Sequence, residues 1–485
     1  MPSSTAYFLL SGASGLLGRY LMKDLLLAGA RLAVVVRASR RATAAQRVEA
    51  ILQGFEATLG RPLPRPVVLE GELVEPNFGL SPQDQSWVAE HCTQYIHNAA
   101  NLTFHATSDD GEPYRSNVEG TRNALELCRE TGIRTFHHVS TAYVAGLRSG
   151  RILESELDVG QQPGNDYERS KIAAEKMVLE ADFLESRTVF RPSIIIGDSQ
   201  TGFTNTFHGF YVPLQIAVTL CRSYDPNPTG RVQNITRMPF QGTERKHFVP
   251  VDWVAAAMAH ILLRPEFHGQ TYHLTPRRPT PLHLLADVLE DLAGFYPLHM
   301  TGQPSDTAVE GVEAHVMDNM QVYDAYFRDD PQFDSTNTRR AFPVPCPHVD
   351  RDMLIRLGRW AIERNFTVRE RAPRIDFDAH QHLELLAASD LHDAADGEWI
   401  ALQVLGPGGG EWTIGLVQGQ PVCAERGLDE RARGWCRIES DLLADIVQGR
   451  ATVDDARTRP GLQASGVDAA RLLQGLAGLA AARVS

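Results

Sequence analysis

The chain has 485 residues and a formal net charge of −13 at pH 7, with 43% hydrophobic and 22% charged residues. That length exceeds one ordinary core, so two domains, or a large one with a small companion, are expected. The acidic balance opposes non-specific attraction to nucleic acid. No stretch approaches the roughly 18 uninterrupted apolar residues of a membrane span, so neither nucleic acid nor an integral membrane segment is expected.

The first residues pass from a short polar lead into a strand-like run with no basic region or cleavage site between, which predicts a cytoplasmic location. Cys92, Cys128, Cys221, Cys346, Cys423 and Cys436 lie far apart without CxxC spacing, so reduced structural thiols and no metal are expected.

Tyr7 to Leu10 is a short apolar run bounded by Ser11-Gly12, and Leu16 to Leu27 carries helical apolar spacing up to Ala28-Gly29. Between them stands Gly12-Ala13-Ser14-Gly15-Leu16-Leu17-Gly18. In a strand–turn–helix unit Gly12 permits the tight turn, Gly15 lets backbone N–H groups approach a pyrophosphate, and Gly18 allows close helix packing. The alternative is a glycine turn that serves packing alone.

A second strand, Arg31 to Val36, ends where dinucleotide folds commonly carry an acid for the ribose hydroxyls. Here Arg37 stands there, followed by Arg40 and Arg41. Arginine pairs bidentately with phosphate, so a 2′-phosphate, and hence NADPH, is expected over NADH; a solvated basic loop is the other reading. Val67 to Leu69 and Tyr95 to His97 read as further strands, leading to Gly71-Glu72-Leu73 and Asn98-Ala99-Ala100 at the same crevice. Phe136 to Val139 delivers Ser140-Thr141 to a strand end, and Tyr167 and Lys171 follow at i and i+4 on one helical face.

These motifs, over most of residues 5 to 365, resemble the extended short-chain dehydrogenase/reductase superfamily. Within it, His97-Asn98-Ala99-Ala100, Asn117 to Thr121, Val139 to Val144, Arg191 to Asp198 and Phe248 to Asp252 are similar to the fatty acyl and thioester reductase branch, of male-sterility type. Ser11 replaces the usual threonine before the glycine motif, and Glu72 the usual aspartate. The implied fold is α/β, a Rossmann-type doubly wound parallel sheet with a smaller substrate lobe.

The resemblance implies catalysis by Thr141, Tyr167, Lys171 and Asn117, with Ser140 as the alternative hydroxyl. Thr141 and Tyr167 would hold the carbonyl oxygen, Tyr167 would give the proton, and Lys171 would lower the tyrosine pKa and bond the ribose. Asn117 would anchor a relay water to Lys171, or else serve packing. The implied cofactor site comprises Gly12, Ser14, Gly15, Leu16, Leu17, Gly18, Arg37, Arg40, Glu72, Leu73, Asn98, Ala99, Ala100, Tyr167, Lys171, Pro192, Ser193 and Ile194. Glu72 would bond the adenine amino group and the small Ala99-Ala100 pair would leave room for the ribose, an ordinary turn being the other reading of each.

Residues 201–245, with Phe203, Phe207, Phe210, Tyr211, Leu214, Ile216 and Val218, would overlie the nicotinamide as an acyl channel or as core. His208 is read as structural. The reductase domain is placed at 1–368, its substrate lobe at 200–245 and 275–365 with a helix from Met353 to Arg364, and a linker at 369–378.

Beyond it, Trp399 to Leu405, Trp412 to Val417 and Pro421 to Ala424 read as strands, and Ser440 to Gln448 (capped by Ser440) and Asp468 to Leu479 as helices. A small antiparallel sheet backed by helices is expected at 379–485. Its order, with Glu411 to Pro421 and Asp441 to Arg450, resembles the sterol-carrier-protein-2-like α+β fold, implying a lipid ligand; a unit for dimerisation is the alternative.

The function implied is NADPH-dependent reduction of an acyl thioester, on coenzyme A or an acyl or peptidyl carrier protein, to aldehyde or alcohol. The rivals are an alcohol/ketone oxidoreductase acting on a lipid-like or steroid-like carbonyl, and a non-catalytic dinucleotide sensor or lipid-holding scaffold.

Overall fold

The computed structural model describes residues 6–106, 108, 111–224, 232–238, 241–300, 328–368, 371, 373–387, 398–418, 420–465 and 471–476. Seven parallel strands make the larger sheet: β1 (Tyr7–Ser11), β2 (Leu32–Val36), β3 (Val67–Glu70), β4 (Cys92–His97), β5 (Thr135–Val139), β6 (Ser186–Pro192) and β7 (Thr271–Leu274), in the order β7-β6-β5-β4-β1-β2-β3. The chain winds outward from β1 to β3, then returns to lay β4 on the other side of β1. This reversal opens a crevice at the carboxyl ends of β1 and β4.

Strands buried on both faces read as continuous apolar runs, and all five residues of β2 are buried. One face is covered by α1 (Leu16–Leu27) and α7 (Val251–Leu262), whose Leu21, Leu25, Val254 and Met258 share a core with Leu10 and Val34. The other carries α3 (Pro82–His91), α4 (Gly120–Thr131) and α5 (Asp166–Glu180), with Val88, Leu127 and Val178 against Leu9 and Phe136. On the edge, α2 (Ala44–Leu59) starts from a Thr43/Gln46 capping box.

The substrate lobe has its own core. There α6 (Tyr211–Tyr224) and α8 (Leu282–Ala293) meet α9 (Arg351–Glu363) through Leu214, Leu289 and Leu357. A Cβ at Gly358 would stand 2.2 Å from Leu292 Cδ1, so glycine permits this close approach. Of the expected apolar segment, Phe210, Tyr211, Leu214 and Val218 belong to this core. Residues 225–231 and 301–327 lie outside the described residues.

In the C-terminal unit, β8 (Glu398–Leu405), β9 (Gly410–Val417), β10 (Gln420–Arg426), β11 (Gly434–Glu439) and β12 (Leu462–Ser465) are ordered β10-β9-β8-β11-β12. The expected antiparallel sheet is in fact mixed, because β8 and β11 run parallel. After β10 the 427–433 connection brings the chain back to the start of β8, where Arg433 N donates to Trp399 O at 2.9 Å. Helix α10 (Ser440–Val447) begins at Ser440 itself; the preceding cap is Glu439, and no side chain caps it, contrary to the expected Ser440 cap. Of the last predicted helix, 471–476 is helical and its flanks lie outside the described residues.

The C-terminal unit meets the amino ends of β1 and β2, opposite the crevice. Tyr7 Oη donates to Glu411 Oε2 at 2.5 Å and accepts from Leu428 N at 3.0 Å, while Trp87 Nε1 donates to Arg426 O at 2.7 Å.

Candidate active site

At the end of β1 the chain turns through Gly12 at φ +73°, and a Cβ there would stand 2.6 Å from Ala99 N. A Cβ at Gly18 would stand 2.0 Å from Gly12 O, so the first turn of α1 lies directly on the glycine turn. No side chain caps α1. Its first-turn N–H groups are therefore available to an anion, and Gly12, Ser14, Gly15, Leu16 and Leu17 all line one cavity of about 690 Å³. Gly18 supports this cradle from behind.

The same cavity is lined by Arg37, Glu72, Leu73, Asn98, Ala99, Ala100, Thr141, Tyr167, Lys171, Pro192, Ser193 and Ile194. Strand ends far apart in sequence converge here because every strand of the sheet points the same way. Arg37 and Glu72 face each other at 3.4 Å across the opening, their side chains 68% and 38% exposed. Arg40 is exposed and does not line the cavity. Arg47, which was not anticipated, does not line it either but contacts two residues that do: from α2 its Nη1 donates to Arg37 O at 2.6 Å and its Nη2 to Ser14 Oγ at 3.2 Å. The signal for it was the Thr43/Gln46 capping box, which starts a helix whose first turn holds a basic residue beside the glycine turn.

Asn165 caps α5 by accepting from Glu168 N at 2.9 Å, and this fixes the rotation that turns Tyr167 and Lys171 to the cavity. Burial pushes the Tyr167 phenol well up, and its bond with the Thr141 hydroxyl works the other way. The expectation that Lys171 lowers this pKa is not met: burial dominates, and Lys171 Nζ donates to Val139 O at 2.8 Å. Burial brings Lys171 itself down to about 8, with Glu175 opposing.

Asn117 is buried in a π-helical turn, Arg115–Glu119, and does not line the cavity. Its Nδ2 donates to Ser170 Oγ (2.8 Å) and Asn101 O (3.0 Å), and its Oδ1 accepts from Asn101 N at 2.7 Å. The side chain thus tethers the loop after β4 to α5 and does not bond Lys171. Below Lys171 lie two stacked buried histidines, His97 and His138, 5.5 Å apart. Burial, and then the Lys171 charge, hold His97 down at about 3, so it is neutral.

Buried polar atoms without a partner among the described residues include Ser140 Oγ and Ser193 Oγ, both in residues that line the cavity. With the uncapped helix end and the glycine cradle, they fit a nicotinamide dinucleotide. The opposite end is walled by Leu102, Phe210, Phe248, Leu285 and Leu289, and His208 also lines it. Among the described residues none beyond Leu289 contributes to the cavity wall, and none of the C-terminal unit does. Among the described residues no group of His, Cys, Asp and Glu is arranged to hold a metal, and no helix is long and apolar enough to cross a membrane.

Comparison with known proteins matches residues 10–258 to the family described as male sterility protein, an NAD-binding family. Among curated relatives, the nonribosomal peptide synthetase asaC of Aspergillus flavus is 27% identical over 295 residues, covering 57% of this chain and 27% of that protein. The aldehyde reductase lnaA of Aspergillus flavus is 28% identical over 282 residues, covering 55% and 25%. The chain thus matches about a quarter of the length of these two relatives. Among solved structures, the terminal R domain from the myxalamid PKS-NRPS biosynthetic pathway aligns with a TM-score of 0.60 at 25% identity, covering 77% of this chain and 94% of that one. A thiolation-reductase di-domain from an archaeal nonribosomal peptide synthetase shares the fold at a TM-score of 0.55 and 17% identity, covering 75% and 76%. With the glycine cradle, the seven-stranded sheet and the Tyr167/Lys171 helix in one crevice, the chain belongs to the male sterility protein family of extended short-chain dehydrogenases/reductases and takes a nicotinamide dinucleotide as its cofactor.

Proposed function

We propose that the chain is an NADPH-dependent reductase of acyl thioesters, carried on coenzyme A or a carrier protein, that releases an aldehyde. The observation that carries this reading is the Thr141–Tyr167 hydroxyl pair in one cavity that joins a glycine cradle to an apolar chamber. The likeness to a terminal R domain over 94% of that domain supports it.

When bound, the dinucleotide supplies a hydride. Thr141 and Tyr167 hold the carbonyl oxygen, and as it gains charge Tyr167 passes its proton to it. Since burial keeps the phenol protonated, Tyr167 is a ready donor; the Thr141 hydroxyl stabilises the phenolate left behind, and the Lys171 ammonium would bond the nicotinamide ribose. The resulting hemithioacetal breaks its C–S bond, its hydroxyl proton going with the sulfur, to give aldehyde and free thiol. Arg37, at the cavity rim beside Glu72, and Arg47, at Ser14 and the Arg37 backbone, would receive the 2′-phosphate.

We assign residues 1–368 to the reductase domain and 379–485 to a sterol-carrier-protein-2-like unit. Because the latter docks at the amino ends of β1 and β2, its role is outside the reaction chamber. Incubation with NADPH and octanoyl-CoA, with assays for free thiol and octanal, tests the reading. Equal amounts of both are expected; turnover of ketones with no thiol from any thioester would overturn it.

A further inference from the structure

Glu175 stands four residues after Lys171 on α5, so the two side chains share one helical face, and its side chain is 0% exposed. Arg191, 1% exposed near the end of β6, grips it as a fork. Nη2 donates to Glu175 Oε1 at 2.5 Å, and Nε donates to Oε1 at 3.1 Å and to Oε2 at 3.2 Å. The third nitrogen, Nη1, donates to Glu156 O at 2.7 Å. Pro192, Ser193 and Ile194 follow directly and line the cavity, whereas Arg191 and Glu175 do not. One strand end therefore walls the cofactor site and pins the helix that carries Tyr167 and Lys171.

Lys171 is 2% exposed, and its bond to Val139 O is to a neutral group. Burial penalises an ammonium that has neutral partners alone, and an anion one helical turn away offsets part of that penalty. The other groups packed around the helix do not take that part. On β4 and β5 the stacked His97 and His138 are neutral, both held down by burial first and then by the Lys171 charge. On β7 His273 is held down at about 4 by burial and then by Arg191. Burial pushes up the Tyr167 phenol on α5 and the Cys128 thiol on α4, and Glu168 acts on Tyr167. The Arg115–Glu119 turn buries the amide of Asn117 and leaves Arg115 and Glu119 exposed. In the Ala142–Ala145 turn Tyr143 Oη donates to Asp330, which pairs with Lys246. Glu154 accepts from His273 N and Asn337 N, and Glu156 from Arg148. The negative charge that acts on Lys171 is that of Glu175.

We propose that Glu175, fixed by Arg191, is a positioning residue that keeps Lys171 in its ammonium form at neutral pH, so that a buried pair outside the cavity sets the pH range over which the enzyme holds its dinucleotide. This rests on the reading of Lys171 as the partner of the nicotinamide ribose, and it is independent of which carbonyl is reduced.

The test is the NADPH affinity of the full chain, measured by fluorescence titration from pH 6.5 to 10. The natural affinity is expected to fall as pH rises, with a midpoint near 8. Glu175→Gln removes the anion, and its midpoint should move down by about one pH unit, since a nearby opposite charge acts by roughly 1–3 units. Glu175→Gln/Arg191→Met leaves no buried guanidinium without a partner, should move the midpoint the same way, and serves if the single variant does not fold. Glu175→Asp keeps the charge and should stay near the natural midpoint. A midpoint that both glutamine variants leave unchanged, or that Glu175→Asp lowers as far as Glu175→Gln does, overturns the inference. A natural protein whose affinity shows no alkaline fall defeats the Lys171 assignment and this inference with it. Absence of thiol release from thioesters defeats the thioester reading alone, because the binding profile needs no thioester.

Discussion

Lys171 Nζ is held by the carbonyl oxygen of Val139 at 2.8 Å, within the same strand end that presents Thr141. The strand thus positions both the hydroxyl and the ammonium of the site, and burial brings Lys171 down to about 8. Tyr167 is shifted the opposite way. If the ammonium is the form that bonds the nicotinamide ribose, activity is lost as pH rises through the lysine's pKa. The profile of kcat/KM should therefore be level near pH 7 and fall with a midpoint near 8. An alkaline limb that first appears near the ordinary lysine range would show that Lys171 is not the titrating group.

Removing the proton donor separates chemistry from binding. Tyr167→Phe keeps the ring and its burial, and should lower kcat by roughly 10²–10⁴-fold. Thr141→Ala should cost less, because Tyr167 still holds the oxygen. In both, NADPH affinity measured by fluorescence titration should change little. A Tyr167→Phe enzyme with full activity would remove Tyr167 from the mechanism.

Cofactor choice rests on Arg37 and Arg47. Arg37 carries its charge at the cavity rim beside Glu72, and Arg47 bonds both Ser14 Oγ and the Arg37 backbone. Arg47→Ala should raise the KM for NADPH about ten-fold or more and leave the KM for NADH within about two-fold, since a charge-assisted phosphate contact contributes on the order of 1.5–3 kcal/mol. Equal losses with both cofactors would mean that Arg47 only supports the turn.

What local pattern could show, it showed. The glycine turn and α1 were readable because strand, turn and helix constrain one another within twenty-odd consecutive residues, and helix α1 spans Leu16–Leu27 as its periodicity predicted. Tyr167 and Lys171 are one helical turn apart, so their shared face was legible too. Lys246 and Asp330 are separated by 84 residues, and Tyr143 and Asp330 by 187, and nothing local links such pairs. Strand β11 escaped notice because its two fully buried positions are Cys436 and Ile438, too short an alternation to stand out. Its parallel pairing with β8 depends on where the 427–433 connection leads, which composition does not encode. For Asn117 the sequence leaves a water anchor and a packing contact both open; its neighbours Asn101 and Ser170, which occupy its amide, are contacts that only folding creates.

The contact between the two units gives a stability prediction independent of catalysis. Tyr7 is 1% exposed, and its hydroxyl joins Glu411 to the backbone of Leu428. Glu411 also accepts from Gln403 Nε2 at 2.6 Å, so its carboxylate is served from both units. Tyr7→Phe preserves the packing against Trp87 but leaves a buried carboxylate oxygen and a buried N–H each short of a partner, a cost of about 1–3 kcal/mol. Burial raises the Glu411 pKa, with the Tyr7 bond opposing, so the charged form is the disfavoured one in the folded protein. Its contribution to stability is then present below the unfolded carboxyl pKa and is lost as pH rises through the folded value. Removing the Tyr7 donor should raise the folded pKa further, making the variant's deficit larger at pH 7 than at pH 5. Thermal unfolding of the two proteins at both pH values measures this, with thiol release from octanoyl-CoA below the transition expected to stay within about two-fold, because no described residue of the C-terminal unit lines the reaction cavity. A Tyr7→Phe protein whose melting temperature matches the natural one at both pH values would show that the units are held together elsewhere.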